Sequence, residues 1–350
     1  MMTVKAETST SDKVRLFSSH GLNFTDKGGS QVVGDCPFCT KEGKFYVSKT
    51  KGQYHCKSCG EKGNGYTFLT KLMEQCRKET TSSQYKTFGR DRGISEAVLK
   101  REQLAFDSQT KRWLLPVWNG SASVANVLTY DESLEKGKTR STATCSRHLY
   151  RANTLSEDGP IYICEGEWDA LALLTLMDKA RVDNINVVAV PGAETFKKDW
   201  VKFFKDRDVV LLYDNDGSGQ DGKAKVVDIL SGEASSIRSI HWPLTMPNKY
   251  DIRDLISEYG SRSSTWKRLH EMIVDESERP SEPKLKRTSF KGLLKDFRKG
   301  LHFNKDMEDT LLITLATVIS NRIPGDPLWV YVVGPPGCGK SMVLQSFMNA

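Results

Sequence analysis

Two short cysteine pairs restrict this chain more than any other feature: Cys36-Pro-Phe-Cys39 and Cys56-Lys-Ser-Cys59, separated by residues 40–55. Two pairs with equal two-residue gaps at this separation have the ligand spacing of a ribbon whose two knuckles clamp one tetrahedral zinc ion through four thiolates. A redox pair or coincidence is the competing reading, and it leaves the matching gaps unexplained. Cys76, Cys145, Cys164 and Cys338 are scattered and read as buried or incidental thiols. So small a module has little core, so zinc is expected to supply most of its stability and chelation to unfold it. Between and beside the pairs, Phe45, Tyr46, Val47, Tyr54 and His55 interleave with Lys44, Lys49, Lys51 and Lys57. Ring faces for base stacking and cations for phosphates are what single-strand recognition requires. Tyr54 and His55 are the aromatic candidates for such contact. The alternative is that about half of the rings pack on the ribbon itself; His55 is also a spare zinc ligand that four thiolates make unnecessary.

With 350 residues the chain has room for two or three domains. Its longest apolar runs, such as LLITLATVI, are too short to cross a bilayer, and the first residues show no signal core, so a cytoplasmic, reducing location is expected, with no membrane partner. A net charge of +7 is compatible with a polyanionic partner without requiring one.

The order of elements predicts an α/β multidomain protein. The ribbon takes residues 1–76, and the polar RKETTSSQYKT stretch (77–87) reads as a linker. A mixed α+β subdomain follows over 88–157, with Ser95 as a helix N-cap and WLLPVW and VANVLTYD as strands. Over 158–274 strands IYIC, NVVAV, VVLLYD and IRSIHW alternate with helices, which implies a mostly parallel sheet covered by helices. Residues 275–305 read as a second linker. In the last segment, 306–350, Gly334-Pro-Pro-Gly337-Cys-Gly339-Lys340-Ser341 follows a strand and satisfies the Walker A phosphate-binding pattern. Lys340 would reach terminal phosphates and Ser341 a magnesium ion. No Walker B carboxylate follows, so the expectation is the start of an ATPase domain that is truncated here.

Glu165 lies at the exit of the strand IYIC, and Asp214 and Asp216 at the exit of VVLLYD, where the carboxyl ends of parallel strands open into a ligand crevice. Asp214, Asp216, Ser218 and Gly219 also fit positions of a calcium loop, but Lys225 stands where that loop needs a bidentate Glu. A third acidic group, Asp251 and Asp254, precedes another helix. Acids from three strand exits make a hard-oxygen site suited to Mg2+ or Mn2+. Helix capping explains Asp251, Glu167 and Asp169 adequately, and explains Glu165 with Asp214 and Asp216 poorly.

At these residues a resemblance becomes specific. EGEWDALAL, VPGAETF and YDNDGSG resemble the successive motifs of a TOPRIM domain, shared by topoisomerases and bacterial-type primases. With the ribbon upstream, the RGIS segment, the basic KGKTR and RHLYR stretches and the P-loop, residues 31–350 resemble a phage-type primase-helicase. The resemblance implies an enzyme that makes short RNA primers on a single-stranded DNA template from ribonucleoside triphosphates, by metal-dependent nucleotidyl transfer. Glu165 would be the carboxylate nearest the reacting 3′-hydroxyl, Asp214 and Asp216 would hold divalent metal, and Asp251 would add a further acid. That family often has Lys before this last acid and Asp or Asn two after it; here Tyr250 and Arg253 stand there, which leaves Asp251 or Asp254 for the role. Lys138, Arg140 and Arg147 would hold template or nucleotide phosphates, as Arg forks suit; a solvated basic loop is the alternative. Expected partners are a replicative helicase or the chain's own ATPase domain, and a DNA polymerase that receives the primer. Two other readings stay open: a TOPRIM nuclease or topoisomerase, and a non-catalytic DNA-binding recruiter of a helicase.

Overall fold

A computed structural model describes residues 11–119, 123–133, 138–243, 245–276 and the helix at 305–320, with a few isolated positions beyond 290. Two compact units divide the chain at residue 280. In the second, the described element is a helix, Lys305–Ser320, in which Leu311 is buried and Ile313 exposed. The Walker A residues lie outside the described residues. Among the described residues no helix is long and apolar enough to cross a membrane.

The first unit contains three sheets. A short helix α1 (Asp12–Ser18) precedes β1 (Phe24–Asp26), β2 (Gln31–Gly34), β3 (Phe45–Ser48), β4 (Tyr54–Cys56) and β5 (Lys62–Gly63), an antiparallel sheet in chain order. Strand alternation sends Phe45, Val47, Tyr54 and Cys56 inward and leaves Tyr46, Ser48 and His55 on the other face. Helix α2 (Gly65–Glu79), capped by the Asn64 side chain accepting from the Thr67 N–H at 3.0 Å, lays Phe68, Leu69, Leu72 and Met73 on the inner face. That core does not stop at the ribbon. It continues into Ala105, Leu114, Val124 and Val127 of the next sheet. The ribbon therefore has more apolar support than its length implies, beside whatever the metal contributes.

A second correction concerns residues 77–87. They are no linker: they finish α2 and begin α3 (Ser82–Arg92). Thr81 accepts from the Gln84 N–H while the Gln84 side chain accepts from the Thr81 N–H, a capping box hidden in polar composition. Tyr85 and Phe88 bury the inner face of α3. Helix α4 (Glu96–Arg101) starts at its Ser95 cap and leads to β6 (Ala105–Asp107), β7 (Arg112–Asn119), β8 (Ser123–Asp131) and β9 (Lys138–Ser141), an antiparallel sheet.

The third sheet has the order β11-β10-β12-β13-β14. Strands β10 (Ile161–Cys164), β11 (Asn186–Ala189), β12 (Asp208–Leu212) and β13 (Ser236–Ile240) are parallel, and β14 (Ile273–Asp275) closes the edge antiparallel. Helices α5 (Glu167–Ala180), α6 (Gly217–Leu230), α7 (Ile252–Tyr259) and α8 (Ser263–Glu271) are the connections and flanks. In β10, β11 and β12 every residue except Asp208 is buried, the signature of strands covered on both faces.

Candidate active site and metal centres

In the ribbon the four sulfurs of Cys36, Cys39, Cys56 and Cys59 all lie within 4.8 Å of one another. Cys36 Sγ is 4.0 Å from Cys59 Sγ, and Cys39 Sγ is 3.7 Å from Cys56 Sγ. Tetrahedral ligands at the usual Zn–S length would stand about 3.8 Å apart, so the donor set fits one zinc ion. The Ser58 and Cys59 N–H groups point at Cys56 Sγ, at 3.4 and 3.5 Å, as in a knuckle.

The ribbon's aromatic residues divide by face. Tyr54 is 2% exposed and stacks on Phe45 at 5.1 Å between ring centres, with Phe17 and Phe68 edge-on. It is a core residue, so its expected role in stacking on nucleic acid is corrected: period-2 alternation places it under the sheet. His55, its neighbour, faces outward, and Lys57 Nζ lies 3.1 Å from its Nδ1. Register pairs Val33 with Tyr46, Tyr46 with His55, and His55 with Lys62, a row across four strands on the open face. Tyr46 is among the rings read from sequence, whereas Lys62 joins the row only through the pairing of β4 with β5.

The acidic site forms where β10 and β12 lie side by side, Cys164 opposite Leu212. Just beyond those residues, the Asp214 N–H donates to Glu165 Oε2 at 3.2 Å, and the Gly192 N–H of the VPGAETF segment donates to the Glu165 carbonyl at 3.2 Å. Helix α6 comes so close that a Cβ on Gly219 would lie 2.3 Å from the Asp214 carbonyl and 3.0 Å from Glu165 Oε2. Only glycine fits there. Burial, with the charges of Asp216 and Asp251, pushes the Glu165 carboxyl up. Burial and then the charges of Asp169, Glu165 and Asp251 push Asp214 up to about 9. Asp216 is different. Despite some burial, the Gly219 N–H and Ser218 hydroxyl, each 2.8 Å from its Oδ1, hold it below the ordinary range. It is the N-cap of α6 as well as a candidate ligand.

Asp251 departs from expectation. Its Oδ1 accepts the N–H groups of Arg253 and Asp254, at 2.7 and 3.0 Å, as the cap of α7, and its Oδ2 takes the Arg253 guanidinium. Asp254 is exposed and completes the capping box by accepting the Asp251 N–H at 3.1 Å. Arg253 Nε also donates to Asp169 Oδ1 at 2.8 Å. Capping therefore accounts for Asp251, both of whose carboxylate oxygens already accept donors within the protein. Glu165, Asp214 and Asp216 remain as hard-oxygen donors. Burial first, and then the neighbouring acids, raise two of these carboxyls, with Arg253 opposing the rise at Asp214; such hard-oxygen donors are of the kind that holds a divalent ion. Among the described residues the carboxylates do not form a preassembled cluster as tight as that of the thiols.

Of the basic candidates, Arg147 lines a cavity of about 260 Å³ together with His148, Glu165 and Glu167. Arg140 is an exposed residue of β9, and the side chain of Lys138 is outside the described set. Sequence reasoning missed Arg92. Its guanidinium sits 3.8 Å from the ring centre of Tyr130 and 4.6 Å from that of Trp168, in a cleft of about 940 Å³ that also receives Arg90, Lys179 and Arg253. The ring contacts span residues far apart in sequence, so no local signal marks them.

Residues 10–96 match the CHC2 zinc finger family, and residues 162–256 match the Toprim-like family. The chain has the paired domains of a bacterial- and phage-type primase. Among solved structures, the zinc-binding and RNA polymerase domains of the Aquifex aeolicus primase are 18% identical, with 83% of this chain and 89% of that chain covered and a TM-score of 0.44. The primase fragment of the bacteriophage T7 primase-helicase protein is 16% identical over 70% of this chain and 99% of that one, TM-score 0.41. A DNA primase domain from Pseudomonas aeruginosa is 13% identical over 75% and 91%, TM-score 0.47. No curated protein matches this sequence.

Proposed function

We propose that the protein is a DNA-dependent RNA primase that joins ribonucleotides on single-stranded DNA. The observation that carries this reading is the meeting of Glu165 and Asp214 at adjacent parallel strand ends, in a chain whose other metal centre is a four-thiol ribbon. Glu165, Asp214 and Asp216 would hold a divalent ion, which when bound offsets charge on the transferring phosphoryl group. In the step, the primer 3′-oxygen forms a bond to the α-phosphorus of the incoming nucleotide, and the bond to pyrophosphate breaks. The hydroxyl proton passes to the Glu165 carboxylate, whose partial burial favours accepting it. Arg147, in the cavity beside Glu165, suits a nucleotide phosphate. Tyr46, His55 and Lys62 on the open ribbon face suit template.

The Walker A residues extend the proposal to a second, ATP-binding part with helicase or related function, and a DNA polymerase would take the primer. The test supplies single-stranded template, ribonucleoside triphosphates and Mg2+, and looks for short RNA products. Glu165→Gln and Asp214→Asn are each expected to lower synthesis at least a hundredfold while template affinity stays within about threefold. Synthesis that survives both substitutions would instead favour the recruiter, and plasmid nicking or relaxation would favour the nuclease or topoisomerase.

A further inference from the structure

The first turn of α7 reads Asp251-Ile-Arg-Asp254, and the arginine in it changes what the acidic site can hold. Arg253 reaches across to α5, a separation of 84 residues in sequence, to donate to Asp169, while its other arm lies on Asp251. The two carboxylates are 9% and 8% exposed, so neither ion pair is a surface accident. Asp251 accepts three donors in all, two backbone N–H groups and the guanidinium. A divalent ion at the roughly 2 Å that magnesium requires would have to sit against the guanidinium already on Asp251 Oδ2, whose charge would repel it.

We propose that Arg253 is a built-in second cation of this site: by holding Asp169 and Asp251 it leaves Glu165, Asp214 and Asp216 to take a single divalent ion in the absence of nucleotide. This rests on the nucleotidyl-transfer reading above and specifies its metal requirement. Arg253 is in this sense a positioning residue, which fixes two acids and supplies a charge that cannot dissociate. The same guanidinium lies in the charge field of Asp214 and opposes the three acids that raise it, as a resident counter-ion should.

The experiment titrates Mn2+ into the full-length, zinc-loaded protein without nucleotide, followed by electron paramagnetic resonance and calorimetry. Only manganese lost in Asp214→Asn is counted. One such ion per chain is expected in the unsubstituted protein. Asp251→Asn, which keeps an oxygen to cap α7, is expected to change its Kd less than twofold. Arg253→Asn is expected to raise the count to two, because Asp169 and Asp251 are released. Two ions in the unsubstituted protein, or a tenfold loss of affinity in Asp251→Asn, would overturn the proposal, and the second measurement decides the matter should Arg253→Asn fail to fold. Primer synthesis is scored separately. The expected manganese pattern without primers sinks the primase reading alone, whereas primers made by a protein that takes two ions sink the role of Arg253 alone.

Discussion

Tyr54 offers a direct measurement of whether the ribbon's aromatic residues serve folding or recognition. At 2% exposure, stacked on Phe45 and edge-on to Phe17 and Phe68, it is expected to behave as a core ring. Truncating a buried aromatic ring to Ala costs about 3–5 kcal/mol. In a unit of this size each kcal/mol lowers the thermal midpoint by about 2–4 °C, so Tyr54→Ala should lower it by roughly 6–20 °C. The hydroxyl reaches Glu61 Oε1 at only 3.4 Å, a long hydrogen bond, so Tyr54→Phe should cost at most about 0.5 kcal/mol. If instead the ring stacked on a base, Tyr54→Ala would weaken single-strand binding by about 1–3 kcal/mol with little change in stability. The assay pairs thermal unfolding of the zinc-loaded protein with fluorescence anisotropy on labelled single-stranded DNA. His55→Ala serves as the contrasting variant, with stability kept within about 1 kcal/mol and binding weakened. A Tyr54→Ala protein that melts normally and loses DNA binding tenfold would refute the placement of this residue in the core.

The remaining predictions concern metal, pH and a helix start. Chelating the zinc should make Cys36, Cys39, Cys56 and Cys59 react rapidly with a thiol reagent, while far-ultraviolet circular dichroism of α2 largely persists, because its core continues into Leu114 and Val127; loss of all helix signal from this part would show that the metal alone holds it. His20 is fully buried, with Nε2 2.9 Å from Thr142 Oγ1 and Nδ1 without a partner, and burial, aided by Arg112, lowers it from 6.5 to about 4. Its folded value lies below its unfolded one, so the stabilisation is complete above pH 6.5 and is lost as pH falls towards 4, on the order of 3 kcal/mol in full. His20→Gln should flatten that part of the stability profile relative to the parent; an unchanged slope would mean that other groups, such as the zinc thiolates, set it. Thr81→Ala removes one half of the capping box and should cost about 1 kcal/mol in chemical denaturation, whereas a flexible linker at that place would tolerate the change with no measurable cost.

What could be read from sequence was what is encoded locally. Two equal cysteine gaps specify a tetrahedral donor set, and the alternation of buried strands with helices specifies a parallel sheet with acids at its carboxyl edge; the pairing of β10 with β12 then brings Glu165 to the Asp214 N–H. The misreadings arose where a local rule met a stronger one or where the partner was remote. Residues 77–87 are polar because the outer face of α3 is solvated, and composition alone hid the reciprocal Thr81 and Gln84 bonds that start a helix. Tyr54 and His55 are adjacent in sequence, so they face opposite sides of a strand, and only one of them could have been available to a ligand. Arg253 is the deepest case. In sequence it is only a departure from the family pattern two residues after Asp251, yet Asp169 of α5 fixes it in the site, and this long-range pair, rather than any motif, decides which carboxylates are left for metal. An acidic motif therefore specifies a candidate donor set, and the resident cations among its neighbours determine how much of that set a divalent ion can use.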